Sequence, residues 1–417
     1  MSGGWCWREV TGAVGSLYVH IPFCARKCGY CDFASWATSV TDGRMGDYVR
    51  ALRWQLDELA GCGLLEDCRT GYVGGGTPSM LGATRLAGLL RAMRRAAPGM
   101  RELTCEGNPD SLTADVIAAA AAAGATRLSI GVQSLDDAEL EALGRLHDAR
   151  QAVGCVRAAV ASGLDVSVDL MCAIPDQTNE SWASTLAAAC DLGVGHISVY
   201  PLQLEPGTPL GDRYKDDDPP WNDEGVQADR MEQASGVLCD AGLSRYEVAS
   251  YALPGRRCLH NMAYWTGVPY VGVGHGAASM LDRGAYHKLR RVATQLPALP
   301  GWVQRVRLRM ESPWEGIALA PPMNELDFSG ELLCEEQALA EDLMLGMRLS
   351  RGVGERLVGA ATLMFGDEFV RTVDGLERRG LVALTDGGMR PTQTGWLLGN
   401  EVFGALWSLA PSSVASL

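Results

Sequence analysis

No apolar run in this sequence reaches the roughly 20 residues that a membrane-spanning helix needs. Any membrane association is therefore expected to be peripheral. The opening MSGGWCWREVTG has neither the basic region nor the apolar stretch of a secretion signal, which predicts a cytoplasmic protein. Positive charge is also scarce: 36 Lys and Arg face 50 Asp and Glu, a formal net charge of -14. A phosphate-backbone binder needs a basic face, so nucleic acid is not an expected partner. Nor is there a disulfide framework. The 13 cysteines are an odd number, and outside one loop they are scattered. In a reducing compartment the scattered ones read as small buried hydrophobes.

A chain of 417 residues can bury a large core and divide into more than one domain. Its organising stretch is Ser16–Asp32, SLYVHIPFCARKCGYCD. Leu17, Val19 and Ile21 alternate with Tyr18 and His20, which predicts a strand over Ser16–Ile21. Pro22 ends it, having no N–H for a ladder. The loop that follows places Cys24, Cys28 and Cys31 at spacing C-x3-C-x2-C. Three thiolates so close suit a soft metal site: zinc, copper(I) or an iron–sulfur cluster. Structural zinc usually takes four protein ligands, often as two pairs, and no second C-x2-C is present; Cys6 or His20 would have to complete it. Three cysteines on a [4Fe–4S] cluster leave one iron open to a small molecule.

Strand, loop and helix then repeat. Helices are predicted over Gly46–Gly61, Arg85–Ala97 and Thr113–Ala123, the last closed by Gly124. Further strands are predicted at Thr70–Val73, Glu102–Glu106, Thr126–Ile130, Asp165–Met171 and His196–Tyr200. Such alternation implies a parallel sheet with right-handed crossovers. Six units are too few for a closed eight-stranded barrel, so the expected fold is α/β, a partial (βα)6 barrel open on one side. Functional residues of such barrels gather at the C-terminal ends of strands. The stretches Gly74–Ser79 (GGGTPS), Glu106–Pro109 (EGNP), Ser129–Ser134 (SIGVQS) and Asp169 fall there.

C-x3-C-x2-C with Tyr30 before the last cysteine resembles the radical S-adenosylmethionine (SAM) superfamily. The wider segment Y-x-H-I-P-F-C-x3-C-x-Y-C-D-F is similar to the family that holds the oxygen-independent coproporphyrinogen III dehydrogenases and the HemW-type heme chaperones. The resemblance implies a [4Fe–4S] cluster on Cys24, Cys28 and Cys31. SAM would chelate its open iron, and an electron donor would drive release of a 5′-deoxyadenosyl radical. It also implies the SAM contacts: Gly75, Gly76 and Thr77 near the amino group, and the carboxylate of Glu106. Gln133, Arg145 (in LGRLH), Asp169, Tyr18, Tyr30 and Val273 (in the YVGVG strand) complete the implied cofactor set, and His147 reads equally well as a structural hydrogen-bonder. His260-Asn261-Met262-Ala263-Tyr264-Trp265 matches the H-N-x-x-Y-W of the HemW type, where His260 would ligate heme, or else hydrogen-bond in a packing corner. The family pattern G-x-G-A-H-S is broken, because Ala278 stands where its histidine is expected.

Four segments are expected: an N-terminal extension at 1–15, the barrel at 16–211, a barrel extension at 212–330 beginning with an acidic, Pro-ended linker, and an α+β winged-helix-like domain at 331–417. Within the family, the dehydrogenases carry another cysteine two residues after the third and a long N-terminal extension. Phe33 stands at that position here, and 23 residues precede Cys24. The resemblance therefore implies a heme chaperone that binds heme and passes it to an acceptor hemoprotein, with no catalytic residue assigned. The alternative is a radical enzyme that decarboxylates coproporphyrinogen III or transfers a methyl group to an aromatic substrate.

Overall fold

The computed structural model describes residues 12–216, 221–311 and 322–417. Cys6, most of the expected N-terminal extension and the end of the expected linker lie outside them. Six parallel strands form the barrel in sequence order: β1 Ser16–Ile21, β2 Thr70–Gly75, β3 Glu102–Gly107, β4 Arg127–Gln133, β5 Asp165–Cys172 and β6 His196–Pro201. Helices Arg44–Gly61, Gly82–Ala96, Ala114–Ala122, Ala149–Ala161 and Asn179–Cys190 cover its outer face. Their starts are set by side-chain caps where the sequence supplies them. Thr113 accepts from the Val116 N–H, and Asp148 with Gln151 forms a capping box.

The barrel is open. β1 and β6 are not neighbours; the sheet runs on past both. Beyond β1, Tyr270–Val273 pairs parallel to it, and Ala278–Asp282, Arg305–Met310, Phe328–Leu333 and Ala415–Ser416 follow antiparallel. Beyond β6, Ser250–Ala252 and Ser244–Arg245 add a short antiparallel pair. SRYEVASYA is therefore not one strand. Tyr246 and Glu247 leave the ladder, their side chains bonding to His196 and Trp265.

Period-two alternation gives the barrel two unlike faces. Leu17, Val19, Leu103, Cys105, Leu128, Ile130, Val168 and Ile197 point outward into one core with the helices. The inward positions are polar: Thr104 and Glu106, Arg127 and Ser129, Ser167 and Asp169, His196 and Ser198. A closed barrel fills its interior with branched apolar side chains. This one keeps a cavity of about 420 Å³.

The C-terminal part has its own core around Leu343, Val353, Phe369, Leu376 and Phe403. Helices Glu335–Gly346, Glu355–Phe365 and Asp367–Arg378 precede a two-stranded wing, Val382–Leu384 with Met389–Pro391, and helices Gln393–Leu397 and Gly399–Trp407 close a winged-helix-like fold. Arg305 joins it to the main sheet through Glu341 (2.5 Å) and Asp342 (2.8 Å). No helix among the described residues is long and apolar enough to cross a membrane.

Candidate functional site

The cavity lies inside the barrel and opens where β1 delivers the cysteine loop. Cys24, Cys28 and Cys31 all line it, and all are free thiols. The loop is held by main-chain bonds and by Arg26, whose guanidinium donates to Gly144 O (2.7 Å) and Arg145 O (3.0 Å). Gly29 N–H bonds Leu143 O (3.1 Å), Leu210 N–H bonds Gly29 O (2.8 Å), and Phe23–Cys24 pairs with Trp36–Ala37. Burial raises the Cys24 and Cys31 thiols above their ordinary range. Arg145 spans the site, donating to Cys28 Sγ (3.3 Å), Asn108 Oδ1 (2.9 Å) and Gly131 O (2.8 Å). Burial opposes its charge, but Tyr30 and Cys28 more than restore it.

The glycine loop after β2 packs under the cysteines. A Cβ on Gly76 would sit 2.8 Å from Phe23 O, 2.9 Å from Ile21 O and 3.0 Å from Cys24 Sγ. Gly75 adopts φ +111°, and a side chain there would run into the His20 ring. Thr77 Oγ1 donates to Cys24 Sγ (3.5 Å) and accepts from Asn108 Nδ2 (3.1 Å). Glu106 accepts from Tyr72 Oη (2.7 Å) and Gly75 N–H (3.1 Å). Burial pushes its carboxyl up to about 7, with Asp169 adding to the shift and the Tyr72 and Gly75 donors opposing it. Asp169 accepts from Ser129 Oγ (3.1 Å), and burial raises it too. Gln133 holds φ +67° at a bulge in β4, a costly torsion for a residue with a side chain, and lines the cavity.

The structure thus brings Cys24, Cys28, Cys31, Tyr30, Gly75, Gly76, Thr77, Glu106, Gln133, Arg145 and Asp169 to one cavity wall. It does not bring Tyr18, Val273 or His260 there. Tyr18 stacks on Tyr72 and donates to His20 Nδ1 (3.0 Å). Val273 is buried in the outward core. His260 is 1% exposed. Its Nδ1 pairs with Thr70 Oγ1 (3.0 Å), its Nε2 with Tyr264 Oη (2.9 Å), and its ring stacks on Tyr72. Burial lowers its pKa to about 3, so the ring is neutral. The segment's cavity-facing residue is instead the neighbouring Asn261. His147 is a buried hydrogen-bonder, its Nε2 on Val132 O (3.2 Å).

The donor set fits a cluster better than a zinc ion. His20 has both ring nitrogens engaged, Nε2 donating to Ala34 O (2.8 Å). Among the described residues no three His, Cys, Asp or Glu side chains gather as a single-ion site. A cluster spreads its thiolates over separate irons and does not need them on one point. Arg145 offsets thiolate charge, and Gly76, lacking a Cβ, lets its loop pack directly against Cys24. Sequence motifs missed Thr104, Arg127, Ser167, His196 and Ser198, all on the cavity wall. The signal was the polar alternation within RLSIGVQ, DVSVDLMC and HISVYP.

The radical SAM superfamily model matches residues 18–189, and the HemN C-terminal domain model matches residues 333–398. Heme chaperone HemW of Mycobacterium tuberculosis is 34% identical over 351 residues, covering 83% of this chain and 84% of that protein. Heme chaperone HemW of Lactococcus lactis is 30% identical over 392 residues, covering 93% and 96%. Among solved structures, coproporphyrinogen III oxidase (HemN) of Escherichia coli superposes with TM-score 0.75 over 96% of this chain and 91% of that one, at 20% identity, a likeness of fold. Radical SAM family membership implies a [4Fe–4S] cluster and SAM, and the cysteine wall suits both. Identity sustained across nearly the whole chain goes further than the cluster loop alone: the chain belongs to the HemW family of the radical SAM superfamily.

Proposed function

We propose that this protein is a cytoplasmic heme chaperone: it binds heme, carries a [4Fe–4S] cluster on Cys24, Cys28 and Cys31 with SAM, and passes heme to an acceptor hemoprotein. The observation that carries the reading is the similarity, from end to end, to proteins named heme chaperone HemW. Phe33 supports it. This ring is 63% exposed and lines the cavity mouth where the dehydrogenases carry a further cysteine. A bound cluster would hold SAM at its open iron and pass it an electron from a reductant. The chain's own part is to seat SAM: Gly75, Gly76 and Thr77 admit it, and Glu106 takes its cationic group. Direct iron ligation by His260 requires one of its two bonds, to Thr70 or to Tyr264, to open.

Heme titration of the anaerobically reconstituted protein, followed by transfer to an apo-hemoprotein, tests the function. Saturation near one heme per chain with transfer is the expected result. No heme binding, together with substrate-dependent 5′-deoxyadenosine formation, would assign a radical enzyme instead.

Glu106 adds a pH dependence. With its pKa near 7 it is largely protonated at pH 6 and largely ionised at pH 8. A cationic group of SAM binds the ionised form, so at pH 6 binding must first release a proton. SAM affinity is expected to be about tenfold weaker at pH 6 than at pH 8. Glu106→Gln should bind weakly at both and flatten the profile. An unchanged slope in that variant removes Glu106 from the role.

A further inference from the structure

The inner face of the barrel ends in two polar groups that the protein itself leaves unsatisfied. Thr104 on β3 and Arg127 on β4 are register partners. Thr104 is fully buried and Arg127 is 3% exposed. Arg127 Nη1 donates to Arg256 O at 3.1 Å, but Nη2 has no partner, and neither has Thr104 Oγ1. No acid accepts a hydrogen bond from either atom, although the Arg127 charge reaches Asp169 and favours its ionised form. Glu102 spends its oxygens on the Leu259 and His260 N–H groups (2.9 Å each), and Asp169 accepts from Ser129. A buried guanidinium edge without an acceptor is costly. Both side chains line the cavity. Arg127 lies four residues down β4 from Gly131, the carbonyl that Arg145 holds, or about 13 Å deeper.

We propose that this floor is a carboxylate-binding subsite. Arg127 supplies the charged donor and Thr104 the neutral one, a pairing that suits a planar carboxylate. The carboxylate has two possible sources with the same chemistry. One is a tetrapyrrole propionate, which rests on the heme reading above. The other is the amino-acid carboxylate of a SAM molecule other than the one held at the cluster, which does not. In either case the cavity is read at both ends: cysteines at the mouth, and a fixed positive charge at the floor of a chain whose net charge is -14.

The test uses the full chain, loaded with its cluster under anaerobic conditions and titrated with hemin, hemin dimethyl ester and SAM. Arg127→Gln is expected to weaken one acidic ligand by about tenfold or more, the range of a charge-assisted hydrogen bond. Thr104→Val should weaken the same ligand by about threefold. Loss for hemin but not for its dimethyl ester assigns the propionate; loss for SAM alone assigns the amino-acid carboxylate. If Arg127→Gln does not keep its cluster and melting temperature, Thr104→Val decides by the same comparison. Folded variants that bind hemin and SAM as wild type does, or that lose hemin and its ester equally with SAM unchanged, overturn the subsite. Wild-type protein that binds no hemin would sink the heme reading, and the SAM arm would then decide the subsite alone.

Discussion

Replacing Cys24, Cys28 and Cys31 together by alanine should remove iron, sulfide and the brown absorbance entirely, and reductive cleavage of SAM with them, while the fold survives. The loss is complete because no other described residue is placed to take over. His20 has both ring nitrogens committed, and among the described residues no other cysteine lines the cavity at the loop. The fold survives because the loop does not depend on its thiols. None of the three belongs to the barrel core, and Gly29, Phe23 and Cys24 hold their places through main-chain bonds. Cys28 and Cys31 are half-buried positions, where replacement changes stability by about 0.5 kcal/mol, and buried Cys24 adds about 1 kcal/mol more, well short of the stability of a large domain. A structural zinc site behaves in the opposite way, since small metal-organised segments unfold when the metal goes. The measurement is iron and sulfide content beside a thermal melt. Retained iron would break the cluster assignment. A large fall in melting temperature would revive zinc.

The strand–helix order of the barrel was legible because each unit carries its own local signals. Ser16–Ile21 reads at both ends, from alternation on one side and Pro22 on the other. Gly124 at φ +96° closes the Ala-rich helix as a glycine after a helix should. The site motifs were legible for a related reason: glycines and acids at strand ends have few other uses. What escaped depends on pairing at a distance. Arg305–Met310 and Phe328–Leu333 look like charged, half-polar stretches until each is laid on its partner strand. The hairpin at Ser244–Ala252 is interrupted because Tyr246 and Glu247 serve partners from other elements. His260 was read either as a heme ligand or as a hydrogen-bonder in a packing corner, and its address is set by Thr70 and Tyr264, 190 residues away in one case.

That address governs the second large effect. His260→Ala should lower the melting temperature and destabilise the protein by about 2–4 kcal/mol. The imidazole is fully buried, stacked on Tyr72, and joins Ser16 and Thr70 to Tyr264 in one hydrogen-bonded chain. Alanine leaves a void, strands the Tyr264 hydroxyl, and removes one of the two bonds of Thr70. Its pKa is held near 3 in the fold, against about 6.5 for a free imidazole, so below about pH 6.5 only the unfolded chain takes up the proton and the wild type itself loses stability. The destabilisation by alanine should therefore be smaller at pH 5 than at pH 8, by about 2 kcal/mol. Heme affinity then falls in step with the fold, because Asn261, one residue on, faces the cavity from the same helix. Tyr264→Phe separates packing from ligation. It frees Nε2 while keeping the ring, so a structural histidine gives a small loss of stability and unchanged heme spectra. A shifted Soret band in Tyr264→Phe, or heme binding lost in His260→Ala with melting temperature and cluster content intact, would give the imidazole to the iron.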